Sequence, residues 1–135
     1  MRIVICGSLR FFNEMNKIRF DLENSGHEVI LPVNIEGTNY ENKSVEQGVK
    51  NIKNYDLINK HYKEIINSDG ILVLNLDKGG IKNYIGGNSF LEMGFAYVNN
   101  KKIFLFNESP QGLNYCEEIL GMDPIILNGD LNKIK

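Results

Sequence analysis

The chain has 135 residues, of which 42 % are hydrophobic and 24 % charged, and a formal net charge of −2. This length suits one core, so we expect residues 1–135 to form a single domain. The small net charge argues against a surface for nucleic acid polymers or anionic lipids, and no apolar run approaches the ~20 residues that span a bilayer. Cys6 and Cys116 have no metal-binding or redox spacing, and the first residues already read as a core strand, so we expect a cytoplasmic protein.

Short apolar runs alternate with longer segments in which apolar residues recur every three or four positions. In chain order we predict a strand over Arg2–Cys6, a helix over Phe12–Ser25, a strand over Glu28–Leu31, a helix over Tyr55–Asn67, a strand over Ile71–Leu76, a helix over Phe90–Asn99, a strand over Ile103–Phe106, a helix over Tyr115–Gly121 and a strand over Ile125–Leu127. The polar, poorly periodic residues 32–53 are predicted to form a long loop that runs into the second helix.

The alternation of strands and helices predicts an α/β fold. The strands lack in-and-out alternation, which is typical of strands covered on both faces. We therefore predict a flavodoxin-like or Rossmann-like, doubly wound, five-stranded parallel sheet with helices on both faces. Ligands of such sheets bind outside the carboxyl ends of the strands, so the loops that follow the strands are the segments expected to form a site.

The first such loop carries Gly7, Ser8 and Arg10 at the start of a predicted helix. Free backbone N–H groups at a helix N-terminus favour an anion, and an arginine adds a bidentate contact to a phosphate. A tight turn with a surface arginine explains the same residues equally well.

A second loop, with glycine pairs at residues 79–80 and 86–87, opens directly onto a helix that contains Glu92. Ser89 and Glu92 have the spacing of a capping box, in which the glutamate only satisfies an N-terminal amide. Against this, Glu92 is the one acidic residue in the apolar run 90–98, at the edge of the sheet where a site is expected. A carboxylate there is also suited to act as a nucleophile.

His61 borders the apolar stripe of the second predicted helix, because it lies four residues from both Leu57 and Ile65. A half-buried structural histidine is the simpler interpretation. The functional alternative is a proton donor that faces the pocket.

In this order, the motifs resemble those of the nucleoside 2-deoxyribosyltransferase superfamily, which includes 2′-deoxynucleoside 5′-monophosphate N-hydrolases. The stretch ICGSLR resembles the loop that holds the 5′-phosphate, INSDGILVLN resembles the strand that lines the pocket, and GGNSFLEMGFAY resembles the helix start that carries the nucleophilic glutamate. The resemblance implies that Glu92 is the nucleophile, with His61 at a position where the family usually has an aspartate. The substrate-binding candidates that follow are Gly7, Ser8, Arg10, Asp69, Asp77, Gly86, Gly87, Asn88 and Ser89.

The resemblance implies an N-glycosidase or glycosyltransferase that acts on a nucleoside or its 5′-monophosphate through a glycosyl-Glu92 ester. This chemistry needs no metal or organic cofactor. The resemblance also implies a homodimer or larger homo-oligomer, with residues 114–116 reaching across to a neighbouring subunit. Two alternatives remain open at this point. The first is a nucleotide-binding sensor without catalysis. The second is a lysine-decarboxylase-like phosphoribohydrolase, because the stretch IGGNSFLE in this chain faintly resembles the glycine-rich motif of that group.

Overall fold

The computed structural model describes residues 1–135. The strands are β1 Arg2–Cys6, β2 Glu28–Ile30, β3 Gly70–Val73, β4 Lys102–Leu105 and β5 Ile125–Ile126. The helices are α1 Phe12–Asn24, α2 Val45–Tyr55, α3 Leu57–Ile66, α4 Gly87–Val98 and α5 Cys116–Gly121, with short 3₁₀ turns at Leu9–Phe11 and Leu131–Lys133. None of the helices combines the length and the apolar character that crossing a membrane would require.

All five strands are parallel and lie in the order β2-β1-β3-β4-β5. This is the flavodoxin-like order, and the predicted α/β fold class is confirmed. The chain reverses its direction of winding between β1 and β3, so the loops after these two strands diverge and leave a crevice. The crevice is the expected place for a ligand.

Helices cover both faces of the sheet, as predicted from the uninterrupted apolar strands. On one face, α1 contributes Met15, Ile18 and Leu22 to a core with Ile3, Ile5 and Leu72. On the other face, α3, α4 and α5 pack against the alternate strand residues through Ile65, Met93, Ala96 and Ile119. The central strands are fully buried because each face has its own apolar layer.

The prediction that residues 32–53 form a loop is wrong for its second half, since α2 begins at Val45. Ser44 caps this helix by accepting a hydrogen bond from the backbone N–H of Gln47. Asp56, in a left-handed conformation with φ of 52°, separates α2 from α3. Val45, Val49 and Ile52 do recur at the four- and three-residue spacing of a helix, but the polar residues and Gly48 between them obscured this pattern in the sequence.

Candidate active site

A cleft of about 500 Å³ opens at the carboxyl ends of β1 and β3. Its walls come from the loop after β1, the segment around Pro32, helices α2 and α3, and the first turns of α4. The predicted substrate-binding residues that line it are Gly7, Ser8, Arg10, Gly86, Gly87, Asn88 and Ser89, together with both predicted catalytic residues, Glu92 and His61. The cleft is therefore at the switch point of the sheet, where the fold class predicts a ligand.

The interpretation of Glu92 as part of a capping box is wrong. Helix α4 begins at Gly87, three residues earlier than predicted, and its N-cap is Gly86. Glu92 consequently lies in the second turn, away from the unpaired amides of the first turn, and no side chain caps the helix. Because it does not cap the helix, the buried position of Glu92 needs another explanation.

The Glu92 side chain is only 4 % exposed, yet no lysine or arginine pairs with it. Its Oε1 accepts a hydrogen bond of 2.8 Å from Nδ2 of Asn88, one turn earlier on α4. Its Oε2 contacts Nδ1 of His61 on α3. Burying a carboxylate without a permanent cationic partner costs folding free energy, so such groups are concentrated at functional sites.

The contact between α3 and α4 brings His61 to Glu92. The Tyr62 ring packs edge-on against Phe95 with centroids 5.0 Å apart, which fixes the register of the two helices. His61 Nε2 is buried and has no hydrogen-bond partner in the protein. The imidazole therefore has one nitrogen at the candidate nucleophile, while the other is buried and has no partner within the protein.

Cys6, the last residue of β1, is a member of this cluster that sequence reasoning missed. Its sulfur, a ring nitrogen of His61 and a carboxylate oxygen of Glu92 all lie within 4.8 Å of one another. Burial raises the pKa of the Cys6 thiol well above its ordinary value, and the nearby charge of Glu92 raises it further.

Three cationic residues, Arg10, Lys43 and Lys78, line the part of the cleft next to the loop after β1. Lys78 Nζ lies 3.4 Å from the Ser8 hydroxyl oxygen. The pKa of Lys78 is lowered by burial and by the nearby charges of Arg10 and Lys43. Sequence reasoning found Ser8 and Arg10 here but missed Lys43 and Lys78, because they come 33 and 68 positions after Arg10 and only folding brings the three cations together.

A tight hairpin turn carries Lys78 into the cleft. Lys78 and Ile81 pair across Gly79 and Gly80, which have φ angles of 60° and 76°. Consecutive left-handed residues form the kind of turn that glycine permits without strain. Further along this loop, a Cβ on Gly86 would approach the Tyr84 ring to 3.2 Å, so the glycine allows the chain to pass close to this ring before α4 begins.

Two predicted substrate-binding residues lie outside the cleft. Asp69 precedes β3 at the opposite edge of the sheet, where its carboxylate accepts a 2.6 Å hydrogen bond from the backbone N–H of Arg2. The exposed Asp77 accepts a hydrogen bond from the backbone N–H of Asn83 and shapes the hairpin loop. The structure therefore does not support contacts of these two carboxylates with a substrate in this cleft, because each is turned to a backbone amide elsewhere.

Comparison with known proteins gave matches among solved structures. No protein-family model and no curated protein matches the chain. A CMP N-glycosidase of Clostridium botulinum superposes with a TM-score of 0.55 at 15 % identity, over 93 % of this chain and 85 % of the other. A 2-deoxyribosyltransferase of Bacillus psychrosaccharolyticus superposes with a TM-score of 0.56 at 18 % identity, over 99 % of this chain and 90 % of the other. The resemblance to the nucleoside 2-deoxyribosyltransferase superfamily is thus confirmed at the level of the fold, which this chain shares with both enzymes.

Proposed function

We propose that the chain is a member of the nucleoside 2-deoxyribosyltransferase superfamily and cleaves the N-glycosidic bond of a nucleoside or its 5′-monophosphate. The observation that carries this proposal is the buried Glu92 carboxylate, held on both oxygens at the wall of the cleft without a lysine or arginine partner. The two structural neighbours, a CMP N-glycosidase and a 2-deoxyribosyltransferase, support the same kind of reaction.

In the proposed mechanism, a Glu92 oxygen attacks the anomeric carbon of the sugar. The bond from that carbon to the base nitrogen breaks, and its electron pair leaves with the base, so a glycosyl ester of Glu92 forms. A water molecule or a second base then attacks the same carbon and releases the carboxylate. Two successive inversions give net retention of configuration.

The neighbours of Glu92 have separate roles in this scheme. The Asn88 amide orients the carboxylate through Oε1. The His61 imidazole contacts Glu92 through Nδ1, and in this scheme it donates a proton from Nε2 to the departing base, which leaves more easily when it is protonated. Ser89, buried at the start of α4, lies where the sugar would be held.

The test is incubation with a panel of nucleosides and their 5′-monophosphates, with and without a free acceptor base, followed by chromatography. Release of the base supports a hydrolase, and transfer to the acceptor supports a transferase. A ligand that stays intact but raises the melting temperature contradicts catalysis and supports a sensor. Release from monophosphates without exchange and without a covalent intermediate would favour a phosphoribohydrolase.

We expect a 5′-monophosphate to bind more tightly than its nucleoside. Lys78 lies beside the Ser8 hydroxyl, and its pKa is lowered by burial and by the charges of Arg10 and Lys43. An anion bound between these three cations would relieve their repulsion. Each charged hydrogen bond to a phosphate typically changes affinity about tenfold or more.

The measurement is calorimetric titration of a nucleoside and its monophosphate with wild type, Arg10→Ala and Lys78→Ala. Both variants should weaken binding of the monophosphate and leave the nucleoside nearly unchanged. Lys133→Ala, on an exposed turn at the C-terminal end, serves as the control. Equal affinities of the wild type for the two ligands would contradict a phosphate subsite.

We also propose that the chain forms a homodimer or larger homo-oligomer. The outer face of α4 exposes Leu91 and Val98 on either side of Gly94, and this apolar face adjoins the cleft through Leu91 and Phe95. Apolar patches of this kind are typical of protein contacts. The segment 114–116 is a weaker candidate for this contact, since the Tyr115 hydroxyl donates to the Ile85 carbonyl of its own chain.

Light scattering should therefore give at least twice the monomer mass of 15.4 kDa. Val98→Lys should shift the mass toward the monomer, because it places a charge in the apolar face. Phe20→Lys, at an exposed apolar residue of α1 on the other side of the sheet, is the matched control and should not. A fully active monomer would contradict the proposal.

A further inference from the structure

We propose that Cys6 is a positioning residue for Glu92, whose S–H donates a hydrogen bond to the Glu92 carboxylate from the sheet side of the cleft. The hydrogen bond between Cys6 and Glu92 can be tested without any turnover. Its effect on turnover rests on the proposed function, in which Glu92 is the nucleophile.

The position of Cys6 supports this role. It is the last residue of β1, it is fully buried, and its sulfur belongs to the same 4.8 Å cluster as Glu92 and His61. The thiol keeps its proton because burial and the nearby carboxylate both raise its pKa. A protonated thiol is a donor, although a weak one, and Glu92 is a charged acceptor beside it.

The three neighbours of Glu92 differ in how firmly the fold holds them. Asn88 is exposed at the start of α4, and His61 lies on α3 and must also serve the leaving base in the proposed reaction. Cys6 belongs to the central strand β1, where it pairs with Val73 of β3 and its carbonyl accepts a 2.8 Å hydrogen bond from the Leu74 N–H. A donor on this strand would hold the Glu92 carboxylate in one orientation while His61 loses and regains a proton.

The kinetic test compares Cys6→Ala with Cys6→Ser. Alanine removes the donor, and we expect kcat to fall about tenfold while KM stays within about twofold, since the change affects orientation of the nucleophile and not substrate contacts. Serine restores an O–H donor at nearly the same size, so it should recover most of kcat. Ser68→Ala removes a buried hydroxyl that donates to the Ile65 carbonyl before β3, away from the cleft, and should leave both constants unchanged.

Infrared spectroscopy tests the contact between Cys6 and Glu92 without requiring turnover. In Cys116→Ala, Cys6 is the only source of an S–H stretching band in the infrared, and a bond to a carboxylate lowers its frequency. Adding Glu92→Gln replaces the charged acceptor by a neutral amide and should move the band to higher frequency.

The two tests separate failure of this proposal from failure of the proposed function. A shifted band in a protein that cleaves no nucleoside supports the contact and contradicts the N-glycosidase activity. A band that Glu92→Gln does not move, or an active Cys6→Ala variant with wild-type kcat, overturns the positioning role of Cys6.

Discussion

Glu92→Ala should lower the rate of base release by at least about 10³-fold, which corresponds to roughly 4 kcal/mol of activation free energy. The alanine removes the atom that would bond to the sugar, and neither Asn88 nor His61, which contact the two carboxylate oxygens, supplies a carboxylate in its place. Because Glu92 does not cap α4, its replacement should not unfold the helix. Glu92→Gln keeps the size of the side chain and should fold like the wild type while remaining inactive.

The measurement is single-turnover kinetics with the best substrate of the panel, together with thermal unfolding of each variant. Rapid acid quenching and intact-mass spectrometry of the wild type should also reveal a protein carrying one glycosyl group, which Glu92→Gln should lack. Glu118→Ala, at an exposed glutamate of α5, is the control and should behave as wild type. Near-normal turnover by Glu92→Ala would contradict the nucleophile assignment, whatever its stability.

His61→Ala should slow base release by about 10² to 10⁴-fold, the usual contribution of a general acid, and weaken substrate binding much less. The imidazole contacts Glu92 through Nδ1, while its buried Nε2 has no partner in the protein. A proton on Nε2 would reach the base in the proposed reaction once the bound substrate displaces the groups that cover this nitrogen. An imidazole can give this proton near neutral pH, whereas an aspartate would need a large upward shift of its pKa.

A substrate with an activated leaving group separates acid catalysis from other roles. Such a base departs with little protonation, so His61→Ala should slow its release far less than that of the natural base. The rate–pH profile of the variant should also lose or alter a limb that the wild type shows for the natural substrate. Equal loss with both substrates would instead mean that His61 only orients Glu92 or contacts the sugar.

The fold class and the main chemical groups of the cleft could be predicted from the residues alone. Strands without alternation, separated by amphipathic helices, leave few ways to bury both faces of the sheet, so the parallel architecture follows from apolar patterning alone. The short spacing from Gly7 to Arg10 and from Gly86 to Glu92 placed these residues in the loops after the strands and in the helices that follow, although the start of α4 was predicted three residues too late.

Which of these groups lie in contact could be seen only in the folded chain. Cys6, His61 and Glu92 come from a strand and two helices, and their proximity depends on strand order and on how α3 packs against α4. The same holds for Lys43 and Lys78 near Arg10, and for Asp69, which the fold places at the opposite edge of the sheet. Periodicity reports which face of an element is buried but not which neighbour covers it, so contacts between distant segments cannot be read from the pattern.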